Sequence, residues 1–343
     1  MIKSAVRWIT STAEEVVRIL ALRTVLFPAA SILPKRLGLA AADAMSWVLV
    51  LMPRPGIHAY LEARRAFGLS HADALRLARR RLARPLIDYV VLNRVMGGRE
   101  DPGSWTIVEK NAAGVERLRA SGEPYIVATA HVSREAMLAM YSPTIVPGRR
   151  THVGAPVPAS VKTLPDRRAR IQYRTAMDVL TKAWRGEVEF VFVSPEHQSP
   201  ALPLVRRLRK PGSVVYIHVD APWAWRGAER GSYERPFAGV NSREFSLGAA
   251  RLARLAKCPV VSCLPVVEND GSISLHWGDP VHVGDTDIPV MDALLDGIEA
   301  AIGQRPDQYV LPIGSERRWN PALQRWEVRR DRTQPGGEGE QAP

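Results

Sequence analysis

The segment Tyr125-Ile-Val-Ala-Thr-Ala-His131-Val-Ser-Arg-Glu135-Ala-Met-Leu-Ala-Met140 delivers a histidine and then a carboxylate from an apolar run into a helix-forming one. An imidazole can take a proton from a hydroxyl or amine near neutral pH, and a carboxylate beside it fixes its tautomer and stabilises its cation. His131 is therefore the candidate general base and Glu135 its candidate orienting acid. An acid in the first turn of a helix also suits the helix dipole, so Glu135 has a purely structural reading of equal weight.

These side chains need a frame. Tyr125 to Ala130 is β-prone, Ser133 is a plausible N-cap, and Arg134 to Met140 are mostly good helix formers. His131 is thus expected at the carboxyl end of a strand, the edge of an open α/β sheet where ligands collect. Further strands are expected at 106–109, 187–193, 213–219, 259–267 and 272–276. Helices are expected at 112–120, 133–141, 168–184, 199–209, 244–256 and 288–302, after a helical stretch over 55–96. The alternation predicts an α/β fold: a central, mostly parallel or mixed sheet flanked by helices, with an amino-terminal helical hairpin. Residues 1–100 read as a helical, membrane-associating region, 101–325 as the α/β core and 326–343 as a disordered tail rich in Gly, Gln and Pro.

Composition narrows the partners. A chain of 343 residues can bury a sizeable core, but a net charge of +12 favours anionic partners: nucleic acid, acidic headgroups, phosphorylated substrates or an acidic carrier protein. Arg76, Arg79, Arg80, Arg81 and Arg84 form a basic helix surface. Val16 to Ile32 and Leu37 to Met52 are greasy yet interrupted, short of the roughly 20 apolar residues that cross a bilayer. Either they lie in a membrane interface or they pack as an ordinary hairpin. No stretch reads as a signal peptide, which predicts a cytoplasmic location. Cys258 and Cys263, the two cysteines, would face opposite sides of a strand and read as buried thiols rather than as a disulfide or metal pair. Phosphate-loop, dinucleotide, H-E-x-x-H and G-x-S-x-G motifs are absent, as are zinc and helix-turn-helix signatures for nucleic acid.

Several later segments stand in a telling order: Leu204-Val-Arg-Arg-Leu-Arg-Lys-Pro-Gly-Ser-Val-Val-Tyr-Ile-His-Val-Asp220, Glu234-Arg-Pro-Phe-Ala-Gly239, Ser246-Leu-Gly-Ala-Ala-Arg-Leu-Ala253, Cys258-Pro-Val-Val-Ser-Cys-Leu-Pro265, Arg305-Pro-Asp-Gln-Tyr309 and Glu316-Arg-Arg-Trp319. Together with the His131 segment they resemble the bacterial lipid A biosynthesis acyltransferases, the lauroyl and myristoyl transferases of the wider glycerolipid acyltransferase superfamily. The resemblance runs from the amino-terminal helices to Trp319. It implies direct transfer of a fatty acyl chain from acyl carrier protein or acyl-CoA to a lipid acceptor, at the cytoplasmic face of the inner membrane, without cofactor or metal and without nucleic acid. His131 would activate the acceptor. Arg185 and Arg235, each beside an expected strand end, are candidates to hold an anionic acceptor, and Asp220 is a candidate to fix the loop from Ala221 to Gly227. Trp223 and Trp225 in that loop pack beneath it or touch the acyl chain or interface.

One departure stands out. That family spaces its dyad H-x4-[DE], whereas here position 136 is Ala and the acid is Glu135. One residue along a helix rotates a side chain by about 100° and advances it by about 1.5 Å. Three outcomes are open: Glu135 reaches His131 through an adjusted turn, another carboxylate such as Glu196 or Asp220 replaces it, or acyl transfer is lost. The readings in competition are a lipid A-type acyltransferase, an acyltransferase for another acceptor, and a non-catalytic lipid- or nucleic-acid-binding relative.

Overall fold

The computed structural model describes residues 33–52, 55–148, 150–155, 182–184, 187–192, 201–220, 232–284, 286–310, 317–320 and 325–328. Among them the fold is α/β, as the alternation of segments predicts: a seven-stranded mixed sheet flanked by helices, preceded by amino-terminal helices.

Among the described residues three helices come first: α1 (Lys35–Leu51), α2 (Pro55–Phe67) and α3 (His71–Met96). The helical stretch over 55–96 is broken at Gly68, which takes a φ of 60° that a side chain would resist, and Ser70 restarts it by accepting from the Asp73 N–H. Helix α1 buries Gly38, Ala42, Ser46 and Val50, a seam of mostly small residues four apart. Along that seam Ala42 packs with Leu86 and Val90, and Val50 with Ala59 and Ala78. Leu37, Trp47, Val48, Leu51, Ile57 and Leu61 remain exposed on α1 and α2. Among the described residues no single helix is long and apolar enough to cross a membrane; α1 and α2 pass that test only as a pair bent by 85°.

The core follows as β1 (Ile107–Lys110), α4 (Ala113–Ser121), β2 (Tyr125–Thr129), α5 (Arg134–Met140), β3 (Arg150–Ala155), β4 (Val188–Phe192), α6 (Leu202–Leu208), β5 (Ser213–His218), the hairpin β6 (Ser232–Phe237) and β7 (Val240–Ser246), α7 (Gly248–Ala256), β8 (Val260–Val267), β9 (Ile273–Trp277) and α8 (Ile288–Gln304), with a short hairpin of β10 (Arg317–Asn320) and β11 (Arg325–Val328). The strand order is β1-β9-β8-β2-β5-β3-β4, and every neighbouring pair is parallel except β8 with β9. β2 lies between β5 and β8, and all five of its residues are buried, as a strand covered on both faces requires.

Side chains alternate between two cores. Ile126, Ala128 and Val215 pack with α6, α7 and α8 on one face; Tyr125, Val127, Val214 and Tyr216 pack with α3, α4 and α5 on the other. The chain leaves β2 for α5, on the second face, and leaves β5 for the β6–β7 hairpin and α7, on the first. Adjacent parallel strands whose chains depart to opposite faces open a crevice at their carboxyl ends.

Three expectations need correction. The helix placed at 244–256 begins only at Gly248, because 240–246 is a strand. β3, β6 and β7 were not foreseen, since Arg150-Thr-His-Val-Gly-Ala155 and Ser232-Tyr-Glu-Arg-Pro-Phe237 lack the apolar runs that mark the inner strands. Arg84 does not belong to a solvated basic face: it is buried. The greasy segment 16–32, nearly all of the helix expected at 168–184, and residues 329–343 of the expected tail lie outside the described residues, whereas 326–328, placed in that tail, belong to strand β11. Cys258 and Cys263 are free and buried, as read from the sequence.

Candidate active site

The register of β2 on β5 builds the site. Thr129 pairs with His218, so two residues farther along each chain His131 and Asp220 stand side by side at the crevice. The two chains stay joined past the strands through Val219 N–H to Thr129 C=O, at 2.9 Å. The Asp220 carboxylate then clamps His131 twice: Oδ1 lies 2.7 Å from the ring Nδ1, and Oδ2 accepts from the His131 backbone N–H at 2.8 Å. The His131 carbonyl accepts from Val310 N–H at 2.8 Å, so its backbone is held on both sides.

Asp220 is fully buried, whereas 31% of the His131 side chain is exposed. Burial alone would raise the Asp220 pKa, but the charge and hydrogen bond of His131, aided by Arg243, outweigh it and hold it at about 2. Asp220 is therefore a carboxylate that can only accept, which assigns the proton of the neutral imidazole to Nδ1 and leaves the Nε2 lone pair free. Nε2 has no hydrogen-bond partner among the described residues. An accessible imidazole with a buried carboxylate on its far nitrogen is the arrangement a general base needs.

Two further groups complete the surroundings. The His218 ring lies with its centroid 4.3 Å from that of His131, and its Nε2 lies 3.2 Å from Met137 Sδ and 3.3 Å from the Tyr141 hydroxyl. Burial, reinforced by His131, pushes the His218 pKa down to about 3, so it is a neutral wall beside the candidate base. Arg243 donates through Nη2 to the Asp220 carbonyl at 2.7 Å and sits against the rings of Phe237, Phe245 and Tyr309, at 5.2, 5.5 and 5.8 Å. It fixes the Asp220 backbone while the carboxylate of the same residue holds His131.

The expected dyad is thus corrected in one member. His131 stands where the sequence puts it, but Glu135 is not its orienting acid. Glu135 is buried in the first turn of α5 and accepts from Arg84 Nη2 at 2.6 Å; burial raises its pKa against the pull of Arg84. Arg235 is also corrected. Its guanidinium is shared among Asp292, Asp296 and Glu299 of α8, at 3.1, 2.6 and 3.4 Å, so its charge is met by three carboxylates rather than offered to an anionic acceptor. Arg185, Glu196, Trp223 and Trp225 lie outside the described residues. No group of three or more His, Cys, Asp or Glu side chains among the described residues is arranged to hold a metal ion.

No protein-family model and no curated protein sequence matches this chain. Function must therefore be argued from the site itself.

Sequence reasoning put Arg84 on a basic surface and passed over Asp88, His218 and Arg243. Only His218 carried a visible signal. The run Tyr216-Ile-His-Val-Asp220 closes an apolar strand with a histidine and an acid two apart, and it becomes telling once β5 is known to adjoin β2.

Proposed function

We propose that this protein is an acyltransferase that moves a fatty acyl group from a thioester of acyl carrier protein or coenzyme A to a hydroxyl or amine of a lipid acceptor. The observation that carries the reading is the pairing of a half-exposed His131 with a buried, ionised Asp220 at the carboxyl edge of the sheet. The order of segments resembling the lipid A acyltransferases supplies the reaction class. In the reaction, His131 Nε2 accepts the acceptor proton as the acceptor oxygen or nitrogen attacks the thioester carbonyl. Asp220 stabilises the resulting imidazolium, and the same proton passes to the departing thiolate, so no acyl group rests on the protein. With Asp220 in the orienting role, the H-x3-E spacing is compatible with this reading.

Docking on the cytoplasmic face of an inner membrane fits the exposed Leu37, Trp47, Val48, Leu51, Ile57 and Leu61, with Arg79 lying over the Trp47 ring at 4.8 Å. The +12 charge suits an anionic bilayer and an acidic carrier.

The purified full chain is to be incubated with lauroyl or myristoyl thioesters of both carriers and with lipid extracted from a bacterial inner membrane. An acylated lipid, seen by mass spectrometry with the wild-type chain and absent with His131→Ala, is the expected result. Equal product from His131→Ala sinks the reading. Flotation with anionic and with neutral liposomes checks the docking: binding should weaken in high salt and persist in part, through the apolar face.

A further inference from the structure

A second group of charges lies behind the site, and Glu135 belongs to it. Arg84 donates through Nε and Nη2 to Asp88 Oδ1, at 2.9 and 2.7 Å, and through Nη2 to Glu135 Oε2 at 2.6 Å. Asp88 in turn accepts from the Ser133 hydroxyl at 2.9 Å and from the Arg134 N–H at 2.9 Å. Arg84, Asp88 and Glu135 are all buried. Burial alone would lower the Arg84 pKa, but Asp88 and Glu135 reverse that and raise it, so it is a fixed cation.

The connectivity is informative. Asp88 sits on α3, among the amino-terminal helices, yet the donors it satisfies open α5, two and three residues after His131. Ser133, the helix's own N-cap, accepts only at 3.3 Å from Ala136 N–H and gives its hydroxyl proton to Asp88. Three ionisable side chains are costly to bury, and an apolar cluster of the same size packs as well, so stability alone does not account for them. What the charges do that apolar groups cannot is hold the first turn of α5 at one position relative to α3.

We infer that Asp88 is a positioning residue for His131: braced by Arg84 and Glu135, it anchors the start of α5 and so sets the approach of the imidazole to Asp220. This rests on the reading of His131 as a base oriented by Asp220. It makes α3 a structural member of the active site rather than only part of a membrane anchor.

The test reads the imidazole directly and needs no substrate. The full chain is labelled with ¹⁵N-histidine, and the His131 nitrogen shifts and Nδ1–H exchange with water are measured alongside a thermal melt. In Asp88→Ala, Nδ1–H exchange should rise by about fivefold or more, the change in local opening that losing one cap hydrogen bond implies. Asp88→Asn keeps an acceptor for Arg134 N–H and should recover most of the wild-type signature. Glu109→Gln is the control. Glu109 accepts from Arg119 at 3.0 and 2.6 Å and from Trp277 at 2.8 Å, so its loss should lower the melting temperature without moving the His131 signals.

An unchanged His131 signature in folded Asp88→Ala overturns the inference, as does an equal shift in Glu109→Gln. If Asp88→Ala does not fold, Ser133→Ala removes one of the donors and is read in the same way. Should the signature follow Asp88 while the wild-type chain yields no acylated lipid, the positional link stands and the acyltransfer reading falls.

Discussion

Asp220 and Glu135 are both buried carboxylates within reach of the same turn, yet they hold different partners, and on the proposed reading they do opposite jobs. Asp220 faces one partner that can lose its proton and is open to solvent; Glu135 faces an arginine that cannot lose its proton at all. A carboxylate on a titratable partner tunes a base. One locked to a guanidinium, and shared with Asp88, builds a joint. The type of residue at the other end of the hydrogen bond, rather than the carboxylate or its burial, decides between chemistry and architecture.

The sharpest way to break this comparison is to neutralise each acid in place. Asp220→Asn removes the charge and allows the wrong imidazole tautomer, so turnover should fall by about 10³–10⁴-fold. Glu135→Gln should cost far less rate, and steady-state kinetics on the two variants side by side decide it. Comparable losses would mean that the two regions are not distinct.

Stability should rank the acids the other way. Glu135→Ala leaves Arg84 buried without one of its two carboxylates, a change that costs about 3–5 kcal/mol for a broken buried pair, measurable by urea unfolding. A loss below about 1 kcal/mol would demote the joint to an ordinary surface contact.

Acid titration separates the regions again. His218 is neutral when folded, with a pKa near 3, but takes a proton in the unfolded chain near its ordinary 6.5. The unfolded state therefore binds more protons between those values. Its contribution is intact above pH 6.5, and stability should fall by about 1.4 kcal/mol per unit as the pH drops toward 3. Asp220, ionised when folded down to about 2 against an ordinary 3.8, adds a further loss between those two values. His218→Phe should flatten the upper limb in urea titrations at stepped pH; an unaltered slope would show that another group carries it.

The smallest effect is expected at Arg235. Its three carboxylate partners are exposed or partly exposed, so Arg235→Ala should change stability by about 1 kcal/mol or less. Acceptor KM should not move; a marked rise would restore Arg235 to the substrate site.

Gly239 shows how far a short motif can be read. In the Pro-Phe-Ala-Gly segment it takes a φ of 78°, and a Cβ there would lie 1.9 Å from the Ala66 carbonyl oxygen of α2. The sequence marks the glycine as a turn residue. That the turn presses on an amino-terminal helix is visible only in three dimensions.

By itself the sequence determined the alternation of strands and helices, the inner strands with their continuous apolar runs, and His131 at a strand end. These follow from local propensity and burial period, which act over a few residues. It also named Asp220 without choosing it over Glu135 or Glu196. Only the tertiary structure decided that choice, because Asp220 lies 89 positions from His131 and meets it through the parallel register of β2 and β5. Arg84 lies 51 positions from Glu135, and nothing local in either segment announces the other. Spacing along a helix put Glu135 beside the histidine in sequence. Pairing across the sheet, and packing of α3 against α5, chose which acid the histidine holds.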